Sequence, residues 1–193
     1  MQHLRMAAPN DIPAILEIYR PYILETTYTF EKIPPTLEEF TLRFEKITAS
    51  FPWLVWEDKD GIAGYAYASS FHERAAFQWS ADLSIYLSSK KAGNGIGKKL
   101  YLALMELLEQ MGYYTVYGEV TGENLGSIAF HQALGFIQEG CFLKTGNKFG
   151  RWCDLITLSK PLRKYEENPQ PIKTIGQLDP QKIQEILKKY SNA

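Results

Sequence analysis

Apolar positions in this 193-residue chain recur at two spacings, every second residue or every third to fourth, and the changes of period mark its elements. The stretch HLRMA (3–7) predicts a short first strand. Over 10–24 the period lengthens. Ile12, Ile15, Leu16, Tyr19 and Ile23 share one helical face, Asn10 or Asp11 is the cap, and Pro21 is expected to bend or end the helix. An aromatic-rich loop, TTYTFEKIPP (26–35), follows. Thr36 with Glu39 three residues on is a capping box, so 36–47 predicts a second helix with Leu37, Phe40, Phe44 and Ile47 as its apolar stripe. WLVWED (53–58) and GIAGYAYASSF (61–71) predict a hairpin turning at Lys59–Gly61. The run 75–88 predicts a long strand, with Leu83, Ile85 and Leu87 on its inner face and Asp82, Ser84 and Tyr86 alternating to the other.

Residues 96–111 carry a full amphipathic helix pattern in Ile96, Leu100, Ala103, Leu104, Leu107, Leu108 and Met111, and Gly112 ends it. A strand (113–120), a shorter helix (124–135, stopped by Gly135) and two more strands (136–144 and 149–160) follow. Proline and polar residues then dominate 168–177, a linker composition. Residues 179–190 predict a separate helix, capped by Asp179 with Pro180 in its first position. The alternation of helices and strands is that of an α/β (α+β) fold. A single domain over 1–163 and a linker with a C-terminal helix over 164–193 are expected; where that helix packs is open.

Charge and composition narrow the function. A net charge of −1 leaves no basic footprint for a nucleic-acid partner. The two cysteines, Cys141 and Cys153, stand in no metal-ligand spacing, so no metal is expected and each is read as a buried strand thiol. No apolar run has the length of a membrane span and the first residues lack a signal-peptide core; no membrane partner and a cytoplasmic location are the default expectations.

One stretch asks for a chemical explanation. KKAGNGIGKKL (90–100) places three glycines, two residues apart, ahead of a helix. The phosphate-loop pattern G-x-x-x-x-G-K-S/T fails at Ala92 and Lys99, and the dinucleotide pattern G-x-G-x-x-G fails at Lys98. The physics of such loops still applies. Backbone N–H groups at a helix start have no partner and favour an anion, and glycines let them converge on it without a Cβ in the way. Gly93, Asn94, Gly95, Ile96, Gly97 and Lys98 are thus a candidate cradle for phosphate.

The series LSIYLS, glycine loop, helix, strand, a helix opening at Asn124, then ALGF resembles the GNAT superfamily of N-acetyltransferases. IYRPYI, TTYTFE, GYAYASSFHERAAFQWS, LSIYLS, NLGSIAFHQALGF and GNKFGRWCDL, in that order over about 3–160, resemble its phosphinothricin and methionine sulfone/sulfoximine acetyltransferase branch. In the family's usual loop, Gln/Arg-x-x-Gly-x-Gly/Ala, Gly95 and Gly97 match, while Ala92 stands in the Gln/Arg place.

The resemblance implies a single domain with a mixed, mostly antiparallel sheet, splayed at the acetyl-CoA site and covered by helices on both faces. It implies acetyl-CoA as cosubstrate, the primary amine of a small amino acid or analogue as acceptor, and a homodimer. By the same resemblance Ile85, Tyr86 and Leu87 lie along the pantetheine arm, where one N–H polarises the thioester carbonyl. Gly93 to Lys98 hold the pyrophosphate, and Asn124 contacts the cosubstrate as well as capping its helix. His131, in FHQALGF where many members carry tyrosine, is the acid/base candidate. Asp82 stands where relatives carry glutamate, as base or as anchor for the ammonium. Tyr28, Phe30, Glu31, Arg74, Phe77 and Trp79 are the acceptor-pocket candidates, with Arg74 able to fork a carboxylate or phosphinate. Asp154 is a candidate supporting carboxylate, while His3 and His72 have no context that singles them out. Two other readings stay open: acetylation of a protein N-terminus or lysine, which needs a more open groove than TTYTFE suggests, and a non-catalytic acyl-CoA-binding module that uses 179–190 to dock a partner.

Overall fold

The computed structural model describes residues 3–91 and 93–192; Ala92 lies outside the described residues. Among them, seven strands form one sheet, in chain order β1 (His3–Met6), β2 (Trp53–Asp58), β3 (Gly61–Ser70), β4 (Ser80–Leu87), β5 (Thr115–Thr121), β6 (Ile137–Lys148) and β7 (Arg151–Pro161). Their spatial order is β1-β2-β3-β4-β5-β7-β6, antiparallel throughout except where β4 meets β5 in parallel. The helices are α1 (Ile12–Glu25), α2 (Leu37–Thr48), α3 (Ile96–Met111), α4 (Leu125–Ala133) and α5 (Pro180–Ser191).

The alternation in β3 and β4 sorts the core into two layers. On one face α1 and α2 pack Ile15, Ile23, Phe40 and Phe44 against Trp53, Val55 and Tyr65, and the Trp53 and Tyr67 rings stack with centroids 4.1 Å apart. On the other face α3 presents Leu100, Leu104, Leu107 and Leu108 to Leu54, Ala66, Ala68 and Leu83. The α3 boundaries follow its glycines. Gly95 (φ +77°) and Gly112 (φ +102°) hold the left-handed backbone that L side chains avoid, one at each end. The β6–β7 hairpin turns on Phe149 (φ +51°) and Gly150 (φ +72°), the pair of positive φ angles of a type I′ turn.

Several expectations need correction. Pro21 does not end α1. It lies on the exposed side, where the Glu17 carbonyl it leaves without a donor is open to water, and the helix continues to Glu25. Asp11 stands at the cap position of α1 but spends its oxygens on Arg5, at 2.6 and 2.8 Å, and on the Ala8 N–H. Leu37 is exposed, since the capping box holds the start of α2 clear of the sheet. The stretch 75–77 is a 3-10 turn and the strand begins at Ser80: β3 has ended at Ser70, and residues 72–78 have no strand to pair with. Cys141 is exposed because β6 is the sheet edge and both of its faces are uncovered over 141–145; Cys153 is buried.

The chain beyond β7 straps itself to the core. Ile172 packs beside the buried Ile175 and Leu178, and the Lys173 and Ile175 N–H groups donate to the Met111 and Ser50 carbonyls. Helix α5 then buries Ile186 and Leu187, and Lys189 and Tyr190 both reach Glu106 on α3. The Leu4 N–H donates to Ser191 Oγ, joining the last helix to the first strand. No helix of the described residues is long and apolar enough to cross a membrane.

Candidate active site

Strands β4 and β5 pair only at Ser80–Thr115, Ala81–Val116 and Asp82–Tyr117, and then part. Beyond Asp82, β4 keeps β3 on one edge and loses its neighbour on the other. Alternation assigns the peptide groups on that open edge. Ser88 N–H donates to Ala63 O on β3, so the odd-numbered residues turn the other way. The hydroxyls found there agree: Tyr101 Oη lies 3.3 Å from Leu83 O, and Tyr22 Oη donates to Leu87 O (2.7 Å) and accepts from Leu87 N (3.3 Å). Ile85 lies between them, its N–H and carbonyl facing the same opening.

A cavity of about 80 Å³ sits at this fork, lined by Tyr22, Tyr28, residues 82–86, Tyr101, Glu119, Val120, Asn124, Ser127 and His131. Two carboxylates meet it from one face of the sheet. Asp82 Oδ1 is buried and finds no hydrogen-bond partner among the described residues. Burial, with the Glu119 charge adding to it, pushes the Asp82 carboxyl up to about 7, although a hydrogen bond from the Leu83 N–H pulls the other way. Glu119 was not anticipated. The alternation of VYGEV puts it on the same face as Tyr117, which is opposite Asp82 in the parallel register.

From the other face come Tyr101 on α3 and His131 on α4, both buried. His131 Nδ1 lies 2.7 Å from the Ser127 carbonyl oxygen, one helical turn back. A carbonyl only accepts, so Nδ1 carries the hydrogen and Nε2 accepts from Tyr101 Oη at 2.9 Å. Burial holds the imidazole below its ordinary pKa, opposed in part by the Ser127 bond, so the ring is neutral at pH 7. Gly118 on β5 makes room for it: a Cβ there would lie 2.7 Å from His131 Nε2. Asn124 caps α4 through Oδ1, which accepts from the Ser127 N–H at 3.1 Å, and its amide also borders the cavity.

The glycine loop leads from β4 into α3. Gly93 (φ +85°) and Gly95 are left-handed on either side of Asn94, and all three are exposed. Gly95 caps α3 without a side chain; the first intrahelical donor is Lys99 N, to Gly95 O, which leaves the Ile96, Gly97 and Lys98 N–H groups without helical acceptors. Lys98 is exposed there, whereas the Lys99 ammonium lies over the Trp56 ring at 5.0 Å. At Gly97 the helix start passes beside Ile85, Leu87 and Phe130.

The acceptor-pocket candidates separate into groups. Tyr28 borders the cavity and also a groove of about 600 Å³ that runs past Tyr22, Leu87 and Ser88 along α1. Its loop is pinned to the β6–β7 hairpin and to the connection between β5 and α4. Lys148 Nζ, almost fully buried, donates to Thr29 O at 2.7 Å, Thr27 Oγ1 donates to Glu123 at 2.7 Å, and the Phe30 ring occupies the space where a Gly146 Cβ would stand. Glu31 faces Arg43 on α2 at 2.6 Å, not the cavity. Arg74 and Phe77 gather with His72 and Glu73 on the exposed β3–β4 connection, away from the fork, and Trp79 donates its indole N–H to the Gln170 carbonyl in the C-terminal strap. Tyr86 directs its ring into the α1 layer, edge-on to Tyr19 and Tyr22. Asp154 braces the β6 bulge by accepting from the Lys144 N–H at 2.8 Å.

Residues 4–157 match the family described as an acetyltransferase (GNAT) domain. A phosphinothricin N-acetyltransferase of Alcaligenes faecalis is 34% identical over 161 residues, 82% of either chain. An L-methionine sulfoximine/L-methionine sulfone acetyltransferase of Pseudomonas aeruginosa is 31% identical over 154 residues, 79% of this chain and 90% of that protein. Among solved structures, a GNAT-superfamily phosphinothricin acetyltransferase from Sinorhizobium meliloti in complex with acetyl-CoA superposes with a TM-score of 0.83 at 38% identity, covering 90% of this chain and 98% of its own.

Proposed function

The chain belongs to the GNAT acetyltransferase family, and we propose that it moves the acetyl group of acetyl-CoA to the primary amine of a small amino acid or amino-acid analogue, of the phosphinothricin and methionine sulfone kind. The observation that carries the reading is the buried, unpartnered Asp82 oxygen where β4 and β5 part, next to the open peptide groups of Ile85. An ammonium entering the cavity supplies the missing partner for that oxygen.

The residues present fit the cosubstrate. Free N–H groups at the start of α3, with Gly93, Gly95 and exposed Lys98 around them, suit a diphosphate. The open edge of β4 suits an extended amide-bearing arm, with the Ile85 N–H available to polarise a carbonyl. Bound there, acetyl-CoA supplies an activated acyl group on a thiol leaving group. The rest falls to the chain. Asp82, with a pKa near 7, is matched to remove the first proton from an ammonium and pass it to solvent. The pinned loop with Tyr28 narrows the approach from the α1 side, which favours a small acceptor over a protein segment. Arg74 reaches an acceptor carboxylate only if the exposed β3–β4 connection folds inward or meets a second copy. The exposed Ile137, Phe142, Leu143 and Trp152 along β6–β7 support a homodimer.

The test is thiol release by the purified protein from acetyl-CoA with a panel of L-amino acids, methionine sulfone and phosphinothricin, with N-terminal peptides as the competing class. Turnover of a small amine is expected, with peptides poor. Silence across the small amines would overturn the reading.

A further inference from the structure

We propose that Tyr101, with His131 behind it, carries the second proton of the acetyl transfer, taking it from the acceptor nitrogen and returning it to the departing sulfur. The inference rests on the acetyltransferase reading above and goes beyond it, since His131 was expected to act on the reactants itself. Its ring has no nitrogen free to do so: Nδ1 donates to the Ser127 carbonyl and Nε2 accepts from Tyr101. Tyr101, whose Oη meets that nitrogen, lines the cavity at the fork.

The proton count leaves a step for such a path. An ammonium acceptor loses two protons on becoming an amide: one must leave before the nitrogen can attack, and the other leaves after the N–C bond has formed. Asp82 accounts for the first. For the second, Tyr101 Oη takes the proton from nitrogen as its own hydrogen passes to His131 Nε2, giving an imidazolium whose Nδ1–H remains on Ser127 O. As the C–S bond breaks, Nε2 returns its proton to Oη, and Oη gives its hydrogen to sulfur. The products are the amide and the free thiol, and the enzyme ends as it began. Nitrogen and sulfur are bonded to the same carbon, so one hydroxyl serves both. The intermediate state also has a place in the structure. When Nε2 holds the proton, the Tyr101 hydrogen must turn elsewhere, and Leu83 O at 3.3 Å on the open edge accepts it. Asp82 on β4, Glu119 on β5, Tyr22 and Tyr28 share the cavity with the pair, and the Phe130 and Phe136 rings stand edge-on to the His131 imidazole.

Tyr101→Phe keeps the buried ring and removes only the oxygen. It is expected to lower kcat by about 10²-fold, with KM for amine and thioester within about 3-fold of wild type. His131→Gln is expected to lose a similar factor, and the double variant only about 2–3-fold more, because the two act as one path. Multiplying losses, or a Tyr101→Phe enzyme that keeps a third of its kcat, would overturn the proposal. A second readout needs no variant and no turnover: the imidazole ¹⁵N shifts of the intact protein must report a hydrogen on Nδ1 and none on Nε2, and the reverse tautomer overturns the relay. If the wild type released no thiol with any amine, the functional reading would fail, and the ¹⁵N spectrum would still decide the geometry.

Discussion

The two edges of β4 are built from the same eight residues in opposite ways. The β3 edge is closed along its length, from Ser70–Ala81 to Gly64–Leu87, and so tightly that Gly64 is the one residue type that fits: a Cβ would press into the Leu87 side chain and lie 3.0 Å from the Tyr86 carbonyl oxygen. The β5 edge is closed for three residue pairs and then left open, its peptide groups met by tyrosine hydroxyls or by no partner among the described residues. Order at one edge makes the vacancy at the other affordable. The open edge is also where the faces of the sheet communicate, so that Asp82 and Glu119 from one side share a cavity with Tyr101 and His131 from the other.

The largest expected effect comes from filling the chemical vacancy at the fork. Asp82→Asn removes the proposed base while keeping the shape, and kcat/KM is expected to fall by about 10²-fold or more. In the wild type the rate is expected to rise with pH through about 7 as Asp82 ionises, and this limb should disappear in the variant. Stability should move the opposite way. The folded pKa lies above the unfolded one, so the folded state holds an extra proton between about pH 4 and 7, and stability is lost as pH rises through that window. At pH 8 the neutral Asn avoids that loss, and at about 1.4 kcal/mol per unit the variant is expected to be more stable by roughly 2–4 kcal/mol. Denaturant melts at pH 4 and pH 8 check the sign: equal gains at both would mean that the carboxyl is not the cause.

Glycines probe the edges separately. Gly64→Ala attacks the closed edge and should cost about 1–3 kcal/mol of stability, because Tyr86 and Leu87 have to shift and carry the cavity wall with them. Gly118→Ala attacks the other side of the fork, where the new methyl pushes on His131 Nε2. Its expected signature is kinetic: about a 10-fold lower kcat, or roughly 1.4 kcal/mol in barrier, with a smaller loss of stability than Gly64→Ala. If Gly118→Ala instead unfolded the protein and left the kcat of the folded fraction intact, the His131 environment would be merely structural.

What could be read in advance follows the same division. Periodicity states which face a residue takes, so α3 from Ile96 to Met111, the inner face of β4 and the β2–β3 hairpin were legible. The glycine loop was legible because positive φ angles demand the residue type. Periodicity is silent on which faces meet, and the misses lie there. Tyr101 sits one turn beyond Gly97 on the packed face of α3, so its hydroxyl was hidden among core positions; a polar atom on a wholly buried face was the available signal. Glu119 became relevant only through the parallel register with β4. Trp79 was grouped with the acceptor pocket because of its motif, whereas the strap at Gln170, over 90 residues on, holds its indole. The same strap could not be foreseen from 168–177, whose composition reads as a linker because its two apolar anchors, Ile172 and Ile175, are too few to show a period.

The smallest effect is expected at the far end of the open edge. Tyr22 has already claimed Leu87 there, donating to its carbonyl and accepting from its N–H, which leaves Ile85 as the position for an incoming arm. Tyr22→Phe deletes that bridge. One hydrogen bond net of water is worth about 0.5–1.5 kcal/mol, so a loss of stability of that order is expected. If the arm pairs at Ile85 and not at Leu87, the dissociation constant for acetyl-CoA should change by less than about 3-fold. Calorimetry separates the alternatives. A tightening of about 10-fold would mean that Tyr22 competes with the arm for Leu87, and would extend the open edge by one more residue pair, to the mouth of the glycine loop.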